Sequence, residues 1–489
     1  MLFNSHIFML LFLPLLLAGW YFLNWKKKFQ LAQGYLIGMS LWFYAYANLQ
    51  YLWLLLFSCL IGWLLSCLPE KISSEKGKKV LTGVGCVFHL GLLGYFKYSN
   101  FFLENLNTVF HTDFPMLQIL LPVGISFYTF QQLAYLIDRC RGDAPRDSFF
   151  DYLTFMVYFP QLLQGPILLR SEFMEQLKEP ERRRFHAERF SEGIQFFVFG
   201  LAKKVLLADT LAKAVNYGYS NVSMLDSISA LLLAVGYLTE LYFDFSGYCD
   251  MAVGLGKMIG LEVAENFDAP FHSASVKEFW RRWHMTLGRF FTRYVYIPLG
   301  GNRRGKMRTL CNVMIVMLLS GLWHGAAWTF VLWGFLHGVG MIWDNLEHPH
   351  LPKKWMRQAA TFAYVCMTFV FFRAESIAQG VDVLKSIVSL KWNGFVFQMA
   401  SALDLTEFYM ITKALSMKLP GLLSWFWLGI FVVLIAICFR VLSGKKVSGV
   451  VALQKQKGYG RLYPVLLAFL FTWSMISMTG VSEYLYFSF

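Results

Sequence analysis

Charge is scarce in this chain. Of 489 residues only 15% are Asp, Glu, Lys or Arg, against roughly 25% in an ordinary soluble domain. With 57% apolar residues over that length, one soluble core cannot hide the hydrophobic side chains, which excludes a soluble globular enzyme. Cysteine is sparse and scattered. Cys59, Cys67, Cys86, Cys140, Cys249, Cys311, Cys366 and Cys438 stand singly, without a CxxC pair, and mostly inside apolar runs. They read as small packed hydrophobes, so no disulfide framework and no metal site is legible. Internal repeats and a soluble domain are also lacking. The first apolar run, residues 1–23, lacks a small-residue cleavage site and reads as a retained helix. Residues 1–489 are therefore expected to form a single all-α, polytopic membrane domain.

Apolar stretches do recur at the length of a membrane span, about 20 residues. The net charge of +14 sits between them, as expected of cytoplasmic loops near anionic headgroups and not of a nucleic-acid-binding module. Lys26, Lys27 and Lys28 follow the first span, and Lys71, Lys76, Lys78 and Lys79 follow the third, across an uncharged link near residues 47–50. This pattern predicts an outer N-terminus, inner basic loops, an outer loop at 99–114 with no Lys or Arg, and an inner loop at 138–147. Lys445, Lys446, Lys455, Lys457 and Arg461 then place the last loop inside and Phe489 outside. About eleven or twelve passes are expected.

Residues 152–169 break the alternation. They should cross outward, yet they run into the basic stretch 170–189, and they carry Phe159-Pro160 and Gln164-Gly165-Pro166. Proline removes a backbone donor and clashes with the previous turn. Irregular backbone at membrane depth survives only when covered by protein or lining a cavity. A segment that enters from the basic side and turns back is expected.

Residues 277–298, KEFWRRWHMTLGRFFTRYVYIP, are too charged to span. On a helical wheel Trp280, Trp283, Leu287, Phe290, Phe291 and Tyr294 share one arc, with Arg282, Arg289 and Arg293 opposite. A helix lying at headgroup level is expected, with His284 at the edge of the apolar arc. That position suits either inward projection or an interfacial hydrogen bond. The basic loop Leu299-Gly300-Gly301-Asn302-Arg303-Arg304-Gly305 matches no nucleotide-binding spacing.

His324 lies deep in an apolar run, in Gly321-Leu322-Trp323-His324-Gly325. An ionisable group there is costly and by default functional. A neutral imidazole is a competent general base near physiological pH. His337, farther along the same run, suits a structural part. Asp244 and Asp250 are further costly charges, placed either to orient a histidine or to pair with an Arg of the amphipathic segment.

Taken together, LPVGISFYTFQ (121–131), FPQLLQGPI (159–167), YFDFSGYCDMAVG (242–254), NFDAPF (266–271), FWRRWHMTLGRFF (279–291), YIPLGGNR (296–303) and GLWHGAAWTFVLWGFLHG (321–338) resemble the bacterial branch of the membrane-bound O-acyltransferase (MBOAT) family. Within it the likeness is to the subgroup of alginate O-acetyltransferase membrane subunits, to which FFRAES (371–376) and EYLYFSF (483–489) also look similar. The resemblance implies a ring of helices around a central tunnel, with His324 at the signature histidine and His284 at the upstream polar position as catalytic residues. It implies a soluble thioester donor, acetyl-CoA, on the cytoplasmic side, no permanently bound cofactor, and a polysaccharide acceptor outside the inner membrane of a bacterium. It also implies an extracytoplasmic partner with an SGNH fold, since such a domain is not legible in this sequence.

Two other readings stand beside this one. Within the family, the donor group would be D-alanine moving toward teichoic acid. From another class, a transporter or flippase would use His324 and Asp244 as a proton relay, since broken helices around a cavity also occur there; a hydropathy repeat is not found. A scaffold subunit with structural histidines is the plainest option.

Overall fold

A computed structural model describes residues 1–346, 353–442, 444, 446–458, 460–478 and 484–485. Among them the regular structure is entirely helical. Six helical stretches are long and apolar enough to cross a bilayer: Phe8–Trp25, Leu49–Glu70, Glu75–Phe110, Ser227–Ile259, Lys306–His324 and Pro420–Leu442. The protein is an all-α, multi-pass membrane protein. The expected eleven or twelve passes exceed these six because inner helices carry polar groups that protein, not lipid, covers. Ile125–Arg141 is the clearest case, burying Ser126, Thr129, Gln131, Gln132 and Asp138.

The Phe29–Cys67 helix runs 39 residues through the expected link near 47–50. It nevertheless folds back. Gln33 Nε2 donates to Asp151 Oδ1 at 2.9 Å and Trp63 Nε1 to the Asp147 carbonyl at 3.1 Å. On a straight helix those two side chains would stand about 45 Å apart, yet they meet partners four residues apart. Both ends of the helix thus lie at one face, as the charge pattern requires. The expected outer loop at 99–114 is a helix over Ser99–Phe110, continuing Glu75–Leu93 through a π-helical turn at Gly94–Tyr98. The span expected over 117–137 is shortened, its helix starting at Ile125.

Basic loops far apart in sequence gather at one face. Glu70 pairs with Arg139 and Arg146, Arg293 with Asp138 and Asp143, Arg182 with Glu262, Lys446 with Glu265, and Lys455 with Glu188. The turn after Lys306–His324 lies at the far end of that helix, where Trp328 Nε1 donates to Asn105 Oδ1 at 2.8 Å. The C-terminal motif at 483–489, and with it the outer position of Phe489, falls outside the described residues except for Tyr484 and Leu485; Lys445 is likewise outside them.

The core is built on Ser227–Ile259, buried along most of its 33 residues. It crosses Ala187–Ala202 with backbones in contact: a Cβ on Gly200 would lie 2.5 Å from the Gly247 carbonyl oxygen. Small residues permit such crossings in membranes, where packing and not water exclusion drives helix association.

The broken segment is found where proline and glycine put it. Phe149–Val157 ends at Tyr158 (φ −54°, ψ 108°), a single turn follows over Phe159–Leu162, and residues 163–169 lack regular helix, with 163–168 buried.

Candidate active site

The amphipathic segment is not one helix. Val276–Arg282 ends, Trp283 is extended, and His284 adopts left-handed backbone (φ +46°, ψ +52°) before Met285–Phe291 begins. The helical wheel therefore fails at the residue of most interest. Its aromatic arc packs against protein, with Trp283, Leu287, Phe290, Phe291 and Tyr294 buried. The arginines opposite meet carboxylates: Arg282 pairs with Glu278, Arg289 with Glu172 and Arg293 with Asp138. His284 is fully buried, the inward of the two positions open to it.

Asn266, in the NFDAPF motif, holds the His284 turn. Its Oδ1 accepts from the Thr286 amide at 3.1 Å, from Thr286 Oγ1 at 3.0 Å, and lies 3.3 Å from His284 Nδ1. Its carbonyl accepts from the Met285 amide at 3.0 Å. An oxygen that receives two other donors requires Nδ1 to carry the proton, which leaves Nε2 as the basic nitrogen of a neutral ring. Burial pushes this imidazole down to about 3, so the neutral form prevails at working pH.

His324 is the last residue of Lys306–His324 and is buried. Its ring centroid lies 6.4 Å from that of His284, 5.1 Å from Trp333 and 5.1 Å from Phe372, with Trp323 at 4.9 Å. The following helix packs so closely that a Cβ on Gly321 would meet the Phe330 carbonyl oxygen at 2.3 Å. The last carbonyls of a helix need donors, and here they come from another helix. Lys97 Nζ donates to the carbonyls of Trp323 at 2.7 Å and His324 at 2.9 Å, and Tyr98 Oη to that of Leu322 at 2.5 Å. A cavity of about 50 Å³ lies between Lys97, Gly124, Leu163, Trp323 and His324, and a second of about 340 Å³ is lined by Lys97, Gly325 and Ala327.

Two sequence-predicted residues thus meet, and others separate from them. His337 is a core histidine, its Nδ1 accepting from Trp280 Nε1 at 3.2 Å and its Nε2 lying 3.0 Å from Thr368 Oγ1. Asp244 and Asp250 orient neither histidine and meet no arginine of the amphipathic segment. Lys204 bridges Asp244 and Asp209 at 2.7 Å each, and Lys203 binds Asp250 at 2.6 Å. Neighbouring lysines on one helix reached these carboxylates from across the fold, which sequence spacing does not reveal. Nor does spacing reveal that Lys97 caps the helix bearing His324.

A neutral buried imidazole next to a second one, beside a cavity and inside a membrane protein, suits proton transfer to or from an acyl acceptor. Residues 141–375, which hold both histidines, match the MBOAT, membrane-bound O-acyltransferase family. The chain is also 35% identical to the peptidoglycan O-acetyltransferase of Helicobacter pylori over 423 residues, 80% of each chain. The chain belongs to the membrane-bound O-acyltransferase family. It is an acyltransferase. It is 39% identical over 389 residues to the "Probable alginate O-acetylase AlgI" of Azotobacter vinelandii, covering 77% of this chain and 76% of that one. Likeness to the teichoic acid D-alanyltransferase of Streptococcus thermophilus is lower and shorter, 28% over 253 residues, 49% of this chain and 58% of the other. Membership in this acyltransferase family sets aside the transporter and scaffold readings.

Proposed function

We propose that this protein moves acetyl groups from cytoplasmic acetyl-CoA across the inner membrane of a bacterium for O-acetylation of an extracytoplasmic polysaccharide, with His324 and His284 as its catalytic residues. The observation that carries the reading is the buried pair of imidazoles, 6.4 Å apart, at the end of a helix that starts at the basic face. Likeness to relatives named for O-acetylation of peptidoglycan and alginate favours acetyl over D-alanyl transfer.

His324 acts as general base. It takes the proton of an acceptor hydroxyl as that oxygen attacks the thioester carbonyl; the C–S bond breaks, and the thiolate of coenzyme A leaves and takes up a proton. His284, fixed with Nε2 basic, sits one ring away to relay that proton. General base catalysis accounts for about 10²–10⁴ of the rate. The fold is a ring of helices around a tunnel, and residues 149–170 re-enter from the basic face. What supports re-entry is the ion pair between Asp147 and Arg170, with Arg170 Nε donating to Asp147 Oδ2 at 2.7 Å: the segment leaves and returns at one point. The basic loops, including Arg303 and Arg304, favour an anionic donor on that face. On the other face an SGNH-fold protein completes transfer to the polymer, and membrane lipid surrounds the whole.

The test is acetyl transfer by purified protein in liposomes, with acetyl-CoA trapped inside and partner and glycan outside. Acetylated glycan is expected only with the partner present and acetyl-CoA inside. Transfer from external acetyl-CoA alone, or no consumption of the thioester, overturns the proposal.

A further inference from the structure

A third cavity, of about 1180 Å³, is lined by neither His284 nor His324 and lies between Pro420–Leu442 and Leu462–Ser477. Protein interiors are packed as densely as organic crystals, with few voids larger than a water molecule. The two helices lean on other neighbours. Pro420–Leu442 packs on Phe395–Ser401, and Leu462–Ser477 packs on Ala187–Ala202. Tyr463 fixes the second contact, its Oη donating to Gln195 Oε1 at 2.7 Å. A cleft is left between them.

Each helix turns one stripe toward that cleft. Val433, Ile437 and Val441 line it from one side and Leu466, Leu470 and Trp473 from the other, at the three- and four-residue spacing of a single helix face. Val433 is 55% exposed, Ile437 47% and Leu466 48%, surface that a packed neighbouring helix would cover. The lining runs from Ile430 to Val441 and from Leu466 to Ser477, about 16 Å of helix on each side. That is the depth of one leaflet, half of the roughly 30 Å hydrocarbon core. The ends differ in charge. At the basic face Arg440 and Lys446 border the cleft, both exposed. Lys446 Nζ lies 3.2 Å from Glu265 and 3.7 Å from Asp268, and an ammonium with three donors retains capacity for an anion. At the far end Lys213 donates to the Asp404 carbonyl, and Glu407 Oε1 accepts from Ser477 Oγ at 2.9 Å. Between the ends, Lys203 is held by Asp250 and Asp209 by Lys204. Of the groups lining the cleft, the excess positive charge therefore stands at the basic-face end.

We infer that this cleft binds an anionic phospholipid of the leaflet at the basic face, with an acyl chain along the two stripes and the phosphate on Arg440 and Lys446. Basic pockets between membrane helices on that side suit anionic headgroups, and a guanidinium holds two phosphate oxygens at once. Apolar walls one leaflet deep give a hydrocarbon chain the contacts that the two helices do not give each other. Bound there, the lipid joins Pro420–Leu442 to Leu462–Ser477 where direct packing is lacking. The inference is independent of the acetyl transfer proposed above.

The experiment places the full chain in nanodiscs of phosphatidylcholine and phosphatidylglycerol in equal parts and reads the lipids it retains by native mass spectrometry. One phosphatidylglycerol per chain should be retained in preference to phosphatidylcholine. Arg440→Gln combined with Lys446→Gln should weaken that retention by about tenfold or more. Lys76→Gln combined with Lys79→Gln, the same charge change at exposed positions outside the cleft, should leave it unchanged. Ile437→Trp, which fills the cleft without altering its charge, should displace the lipid as well. Folding of each variant is checked by gel filtration. If the double variant misfolds, Ile437→Trp and the contrast between the two lipids decide. Inorganic phosphate in the buffer should not displace the lipid, because the acyl chain carries part of the binding. Protein extracted directly from cell membranes should carry the same class of lipid. Equal retention of both lipids would mean surrounding bilayer only, and full displacement by phosphate would mean an anion site without a lipid. Either result overturns the inference, as does unchanged retention in the folded double variant or in Ile437→Trp, or a polyprenyl phosphate in place of phospholipid on the extracted protein.

Discussion

His324→Ala should abolish acetyl transfer, a loss on the order of 10²–10⁴ in rate, while abundance in membranes stays near the wild-type level. Wild-type transfer by a stably inserted variant would remove the imidazole from the mechanism. His284 demands a more careful substitution, because its φ of +46° is a conformation in which asparagine is tolerated far better than alanine. His284→Asn should therefore insert normally and still depress transfer, whereas His337→Ala, which strips partners from Trp280 and Thr368, should act chiefly by lowering thermal stability. Equal and small effects on activity at 284 and 337 would reduce His284 to a structural residue. The same ring sets a pH signature. An unfolded histidine takes its proton near 6.5 and His284 only near about 3, so between those values the unfolded chain binds the extra proton. Stability is held above pH 6.5 and declines as pH falls toward about 3; His284→Asn should flatten that decline in melts recorded from pH 7 to 5. His324 and His337 were legible because an apolar run makes any histidine conspicuous. For His284 the sequence left inward and interfacial positions open, because a wheel assumes the unbroken helix that its own left-handed backbone interrupts.

Helices here are shaped by what ends them. The helix carrying His324 stops at Gly325, and its open carbonyls are closed by Lys97 and Tyr98 from the helical stretch Glu75–Phe110. A cation at a helix C-terminus satisfies both the carbonyls and the helix dipole. Lys97→Met should therefore lower transfer by at least tenfold and lower the melting temperature as well, since charged hydrogen bonds of this kind contribute about 1.5–3 kcal/mol. Lys97→Arg should recover part of the stability without the full activity, because a planar guanidinium cannot place three donors on Trp323, His324 and Ser126 as the ammonium does. Stability and activity lost and recovered in strict proportion would make Lys97 a scaffold residue only. Breaks caused by proline were readable in advance: Pro160 and Pro166 interrupt residues 149–169 as their missing donors require. The fold-back of Phe29–Cys67 carries no such mark, since residues 41–57 contain neither proline nor glycine. Only uncharged, polar Asn48 and Gln50 hinted at a turn between apolar halves.

At the scale of the whole molecule, charge placement was the most informative part of the sequence, because lysine and arginine avoid the acyl interior whatever fold the helices adopt. Loops 80 and 181 residues apart, those bearing Arg182 and Glu262 and those bearing Lys446 and Glu265, end up joined at one face. The donor-inside, acceptor-outside direction depends on which face that is. Each basic group near an anionic surface gains about 1 kcal/mol, so the summed bias should fix one orientation with the basic face in the cytoplasm. Ser74 and Asn107 test it directly. Ser74 caps the start of Glu75–Leu93, Asn107 lies near the end of Ser99–Phe110, and nearly continuous helix joins them. Thirty-three residues of helix reach about 50 Å, more than the roughly 30 Å of hydrocarbon, so the two positions must lie on opposite sides. Single cysteines at 74 and 107, in a background without the native eight, should react with an impermeant thiol reagent from opposite faces, with Asn107→Cys labelled in intact cells and Ser74→Cys only after lysis. A reporter fused after Phe489 should read as extracytoplasmic. Labelling of both cysteines in intact cells would place the basic loops and the acceptor on one side, and a cytoplasmic thioester would then have no route to His324 from the basic face.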